Sequence, residues 1–177
     1  MSHVDTSSSR RVAVVLDTGA LLAKYYRLIP RLDIDTYTTP SAVCEVKDHE
    51  NRTALAEAID LGLVKAVAPR QPYVSTVMQA AVKIGSVHKL SITDLDVAAL
   101  AVQLRSSYPE VVVITDDYEL ENLLAHLGVS FKPLRTHGIR ELRRFIAMCP
   151  TCGYVPGKPG EETCPLCGTE ISRRRST

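Results

Sequence analysis

The sequence predicts an α/β protein, a three-layer α/β/α body around a central parallel sheet, joined to a small four-cysteine zinc ribbon. Three observations carry this. Strand-like runs alternate with helical patterns as far as Lys132. The two most apolar runs, VAVVL (12–16) and VVVIT (111–115), lack period-two alternation, as expected of strands covered on both faces. Four of the five cysteines fall between Cys149 and Cys167 as two Cys-x2-Cys pairs.

After a Ser-rich start, Val12–Leu16 reads as the first strand, and the segment from Gly19 to about Tyr26 as a helix. Thr38-Thr39-Pro40 before SAVCEVKD is a cap and a proline at a helix entry. A further helix runs from Arg52 to Leu61 and stops at Gly62. Residues 63–68 are strand-like. In 72–84, Tyr73, Val77, Ala80, Ala81 and Ile84 form one stripe of an amphipathic helix. Gly85-Ser86 turns the chain, and Ser91 caps a helix that carries Leu95, Ala98, Ala99, Val102 and Leu104 and breaks before Pro109. Strand 111–115, a helix from about Asp117 to Leu127, Gly128 and a last short strand, VSFK, complete the body.

At 177 residues and 19.4 kDa the chain has room for one domain and a small appendage. Apolar content of 45% with 23% charge excludes wholesale disorder. The net charge of +1 hides an asymmetry: residues 1–131 hold 12 Lys and Arg against 16 Asp and Glu, whereas 132–177 hold 9 against 4. An acidic body with a basic C-terminal part suggests contact with a nucleic acid or another anionic surface. No apolar stretch has the length of a signal peptide or a membrane span, so the expected compartment is the cytoplasm. The expected division is a flexible start (1–10), the body (11–135), a basic linker (136–146), the ribbon (147–171) and a basic tail (172–177).

Cys149, Cys152, Cys164 and Cys167 lie in the echoed pentapeptides CPTCG and CPLCG. A two-residue gap lets one tight turn aim both sulfurs at a single ion, and the following glycine can take the positive φ such a turn needs. Four thiolates close the shell of Zn²⁺ and leave no position for water, so the site is expected to be structural. Disulfides or idle thiols are the alternative. Cys44 stands apart and is expected to be packed in the core.

Acidic residues recur where strands end or helices begin: Asp17 after VAVVL, Glu45 in the second helix, Asp94 and Asp96 at the start of a later helix, Asp116 and Asp117 after VVVIT. In an open parallel sheet ligands bind at the carboxyl ends of the strands. Carboxylates gathered there repel one another unless a cation lies between them, and oxygen-only ligation suits Mg²⁺ or Mn²⁺. Each has a plain alternative: Asp94 as the acidic member of a capping box with Ser91, Asp96 as a helix-start charge, Glu45 on a solvated face. The chain has no glycine-rich phosphate loop, no G-x-S-x-G and no histidine pair at metal spacing, so metal-assisted hydrolysis is the chemistry left.

LDTGALL, SAVCEVKD, LSITDLDVAALA and ITDDYELEN together resemble the PIN-domain nucleases over roughly residues 11–135. A PIN-like body followed by a Cys₄ ribbon resembles the Nob (Nin-one-binding) endoribonucleases, which in archaea and eukaryotes cleave precursor small-subunit rRNA at its mature 3′ end. The compact chain is similar to the archaeal version. The resemblance implies an endoribonuclease whose acidic residues fall on Asp17, Glu45, Asp94 and Asp117, with Asp116 an adjacent possible ligand, and which uses one or two Mg²⁺ or Mn²⁺ ions. Precursor rRNA, the pre-ribosomal particle and ribosome assembly proteins are the implied partners. Arg140, Arg143, Arg144, Arg173, Arg174 and Arg175 are the expected phosphate contacts, since the acidic site repels RNA unaided. With no Trp and two Phe, the chain has little for base stacking. Two other readings stand beside this one: a toxin-type PIN ribonuclease acting on tRNA or mRNA, and a non-catalytic RNA-binding assembly factor.

Overall fold

A computed structural model describes residues 12–30, 33–134, 145–156 and 162–175. Five parallel strands form the central sheet in the order β3-β2-β1-β4-β5. They are β1 (Val12–Leu16), β2 (Ile34–Thr38), β3 (Lys65–Ala66), β4 (Glu110–Ile114) and β5 (Ser130–Lys132). The helices are α1 (Thr18–Leu22), α2 (Pro40–Glu45), α3 (His49–Asp60), α4 (Gln71–Lys83), α5 (Ile92–Leu104) and α6 (Tyr118–His126). None is long and apolar enough to cross a membrane.

Successive residues of a strand point to opposite faces, so two buried strands serve two cores. Ala13 and Val15 of β1, with Val111 and Val113 of β4, pack against α4, α5 and α6. Val14, Leu16, Val112 and Ile114 pack against residues of α1, α2 and α3. The three-layer arrangement expected from the unalternating apolar runs is present. Helix α5 buries Val97, Ala98, Ala99, Leu100 and Ala101 completely, and it is apolar on nearly all sides because it lies between β1, β4 and helices α2, α4 and α6.

The sequence reading leaves out β2, which pairs with both β1 and β3. Its segment, IDTYT, carries an Asp and two Thr, so it lacks an apolar run. The polar groups are satisfied: Thr38 Oγ1 donates to the Leu16 carbonyl at 2.9 Å, and Asp35 accepts from Lys65 and from the Tyr108 hydroxyl. Tyr108 lies 2.7 Å from the Tyr37 hydroxyl, which ties the loop before β4 to β2.

The first helix is shorter than expected. It ends at Leu22, and Lys24 takes a left-handed conformation (φ 54°) before a 3₁₀ turn at Tyr25–Arg27. Val46, Lys47 and Asp48 separate α2 from α3, which starts at His49, three residues before the start expected at Arg52, and is capped by the Asp48 carboxylate accepting from the Asn51 N–H. Cys44 is exposed rather than packed in the core, because α2 turns that position outward.

In the C-terminal part, β6 (Phe145–Met148) and β7 (Ser172–Arg175) pair antiparallel, with Met148 opposite Ser172. Strand β6 lies across the border expected between linker and ribbon, and β7 falls in the segment expected as the tail.

Leu100 is central to the α5 interface and fully buried. Leu100→Ala should cost about 2–5 kcal/mol of folding free energy, read from the urea midpoint at unchanged m-value. A loss under about 1 kcal/mol would mean that the α5 layer repacks freely.

Candidate active site and metal centre

The C-terminal thiols form a compact cluster. Sγ of Cys149 lies 3.4 Å from Cys167, Cys152 lies 3.5 Å from Cys164, and Cys167 lies 3.7 Å from Cys152, with all four ligand atoms within 4.8 Å of one another. Sulfurs about 2.3 Å from one ion at tetrahedral angles are about 3.8 Å apart, whereas a disulfide needs about 2.05 Å. The set therefore fits a tetrahedral metal and excludes disulfides among these pairs. The two pentapeptides build matching turns. Gly153 N–H donates to the Cys149 carbonyl and Gly168 N–H to the Cys164 carbonyl, at 2.9 Å each, and both glycines have positive φ, 74° and 73°. Cys149 and Cys164 are buried, while Cys152 and Cys167 are exposed. The pKa of the Cys167 thiol is lowered to about 6, first by the Thr169 hydroxyl and then by the Thr169 N–H.

At the other site, the chain brings acids from four places to the carboxyl edge of the sheet. Leu16 and Ile114 are paired in register, so Asp17 leaves β1 beside the start of Thr115-Asp116-Asp117. Asp17 is the N-cap of α1 and accepts from Ala20 N–H at 2.7 Å. Asp94 completes a capping box, its Oδ2 accepting from both the N–H and the hydroxyl of Ser91 at 2.7 Å. Asp117 caps α6, with Oδ1 accepting from Glu119 and Leu120 N–H. Glu45, at the end of α2, accepts through Oε2 from the Thr18 hydroxyl at 2.6 Å. For Asp94 and Asp117 the capping role and a ligand role are compatible. One oxygen receives the capping bonds, and the other has no hydrogen bond among the described residues.

These groups lie within electrostatic reach of one another. Burial pushes the Asp17 carboxyl above its ordinary value against hydrogen bonds from Thr115 and Ala20, and the charges of Asp94 and Asp116 add to the rise. Burial raises Asp94 as well, opposed by Ser91 and reinforced by Asp117 and Glu45. None of the ion pairs recorded among the described residues involves Asp17, Glu45, Asp94 or Asp117. An all-oxygen donor set without a cationic partner fits a hard divalent ion. Among the described residues the thiols are the one group of three or more with ligand atoms all within 4.8 Å, so the carboxylates surround their space at wider spacing.

The neighbouring acids differ. Asp96 accepts from the Ser41 hydroxyl at 2.8 Å and joins α5 to α2. Asp116 accepts from Leu134 N–H at 2.7 Å, which anchors the chain after β5. Four residues near the site went unread in the sequence. Thr18 orients Glu45, and Thr115 holds both Asp17 and the Asp117 N–H. Ile92 and Tyr118, at the first positions of α5 and α6, are 78% and 55% exposed. Each directly follows an N-cap residue, Ser91 or Asp117. Arg140, Arg143 and Arg144 lie outside the described residues, and of Arg173, Arg174 and Arg175 only the backbone in β7 is described.

A folded-state pKa above 3.8 at Asp17 means that its favourable contribution is present below the unfolded value and lost as pH rises through the folded one. Without added divalent cation, Asp17→Asn should therefore melt at a higher temperature than wild type at pH 7. The two should converge near pH 4 and below. A variant less stable at pH 7 would show that burial is not what raises this carboxyl.

Residues 14–104 match the model of a family described as the PIN domain of ribonuclease. Endoribonuclease Nob1 of Pyrococcus abyssi is 39% identical over 163 residues, 91% of this chain and 92% of that protein. Endoribonuclease Nob1 of Methanothermobacter thermautotrophicus is 35% identical over 91% of this chain and 92% of its own length. Ribonuclease VapC3 of Aeropyrum pernix is 36% identical over 75% of this chain and 93% of its own length. With the parallel three-layer fold, the acidic edge and the thiol cluster, these likenesses show that the chain is an endoribonuclease belonging to the archaeal-type Nob family of PIN-domain proteins, with a C-terminal zinc-ribbon module.

Proposed function

We propose that this endoribonuclease cleaves precursor small-subunit rRNA at its mature 3′ end during ribosome maturation in the cytoplasm. The observation that carries the reading is the convergence of Asp17, Glu45, Asp94 and Asp117 on one sheet edge, with raised carboxyl pKa values at Asp17 and Asp94, in a chain similar along most of its length to proteins named endoribonuclease Nob1. In this reading those four carboxylates hold one or two Mg²⁺ or Mn²⁺ ions, with Asp116 as an adjacent ligand. Bound there, such ions activate water and neutralise charge on the scissile phosphate. The chain's own part is orientation. Helix caps fix the three aspartates, Thr18 fixes Glu45, and Asp17 itself is held buried.

The ribbon takes one Zn²⁺ on Cys149, Cys152, Cys164 and Cys167. Arg140, Arg143, Arg144 and Arg173–Arg175 supply the phosphate contacts in the pre-ribosomal particle, together with assembly proteins. The likeness to a protein named ribonuclease VapC3 favours a second reading, a PIN ribonuclease acting on tRNA or mRNA. Equal cleavage of unrelated RNA inside and outside the particle would support it.

Asp17→Asn should lower Mn²⁺-dependent cleavage of an RNA spanning the mature 3′ end by more than about a hundredfold, since even residues behind the ligands cost 10–100-fold in metal sites. Unchanged cleavage would remove the assignment of the acidic edge. For the ribbon, elemental analysis should find about one zinc per chain. A thiol reagent should react rapidly with Cys44 alone and with all five cysteines after chelation. Rapid reaction of all five without a chelator would overturn the Cys₄ site.

A further inference from the structure

Between α2 and α3 the surface opens into a groove of about 700 Å³. Val46, Leu55 and Ile59 form its apolar floor, while Lys47, His49 and Arg52 lie along it. No carboxylate lines it, although residues 1–131 carry more acids than bases. The nearest acids are engaged elsewhere: Asp48 with Asn51 of its own helix, and Glu50 with Lys24 at 2.6 Å. Lys47 and Arg52 take part in none of the ion pairs recorded among the described residues. Lys47 and Arg52 beside a histidine, with no carboxylate in the lining, give the groove itself a basic lining, although Glu45, Asp48 and Glu50 are close in the chain. Lys47 is two residues beyond Glu45, in the segment that joins α2 to α3, so the groove and the proposed cleavage site are neighbours along the chain.

We propose that this groove is a track for the single-stranded RNA substrate, with backbone phosphates on Lys47 and Arg52 and the sugar and base surface against Val46, Leu55 and Ile59. It rests on the nuclease reading and assigns to the PIN body itself a phosphate-binding surface, in addition to the arginines of the C-terminal part. Charge decides between occupants. An acidic edge repels a polyanion, and a strand can reach it only where adjacent cations hold its phosphates.

The test uses full-length protein carrying Asp17→Asn, with and without Lys47→Gln and Arg52→Gln, and a labelled single-stranded RNA spanning the mature 3′ end. Loss of two phosphate contacts should reduce the slope of log K against log salt by about 1.4 and weaken binding at low salt by on the order of tenfold or more. Lys47→Arg with Arg52→Lys should keep the slope, which a merely structural effect would not. Cys44, exposed in the same groove, supplies a second readout: saturating RNA should slow its alkylation severalfold. An unchanged slope, or alkylation of Cys44 unaffected by bound RNA, overturns the track and leaves the groove to a protein partner. Cleavage by the protein with Asp17 intact is measured separately. Its absence removes the nuclease reading, whereas normal cleavage with an unchanged slope removes the groove alone.

Discussion

The parallel pairing of β1 with β4 is the constraint on which the rest depends. Leu16 opposite Ile114 places Asp17 beside Thr115, Asp116 and Asp117, although about a hundred residues of chain lie between them. A shift of one residue would exchange the two faces of β4 and put Val112 and Ile114 in the wrong core. The two cores therefore hold the register, and the register holds the acidic edge. Burial of about a dozen strand side chains keeps a cluster of like charges in a place that those charges alone would push apart.

Helix caps give this edge its second property. A carboxylate at a helix start is held by N–H groups through one oxygen, and its direction is fixed before any ion arrives. Asp94 and Asp117 are held in this way on two different helices. The strain is electrostatic rather than conformational: the backbone at each position is ordinary, and what is unfavourable is charge brought together and partly removed from water. A cation bound among these carboxylates would relieve that repulsion and stabilise the fold by linkage.

Much of this was legible in the chain. VAVVL and VVVIT could be only covered strands, and Ser91 with Asp94 three residues on has the spacing of a capping box, which the geometry bears out. The doubled Cys-Pro-x-Cys-Gly pattern reveals the thiol cluster because its geometry is local. The β2 strand was not legible, since its stability lies in partners distant in the sequence: Lys65, Tyr108 and the Leu16 carbonyl give IDTYT reasons to be extended that its own composition does not show. The exposure of Cys44 and the position of Tyr118 were hidden for the same reason. Burial depends on which face of a helix meets the sheet, and a six-residue helix has too little periodicity to say.

The β6–β7 pair changes how the C-terminal module should be regarded. Met148 and Ser172 are opposite one another, and Cys149 to Cys167 fall inside the loop that they close. Two devices, a strand ladder at the base and a thiol cluster above it, close overlapping loops in the same stretch of chain. Once either has formed, the other has less chain entropy to overcome, because the cost of closure grows only slowly with loop length and is largely met by the first. Metal capture and strand pairing are thus linked equilibria, and Arg173 to Arg175 are part of the closure rather than an appendix to it.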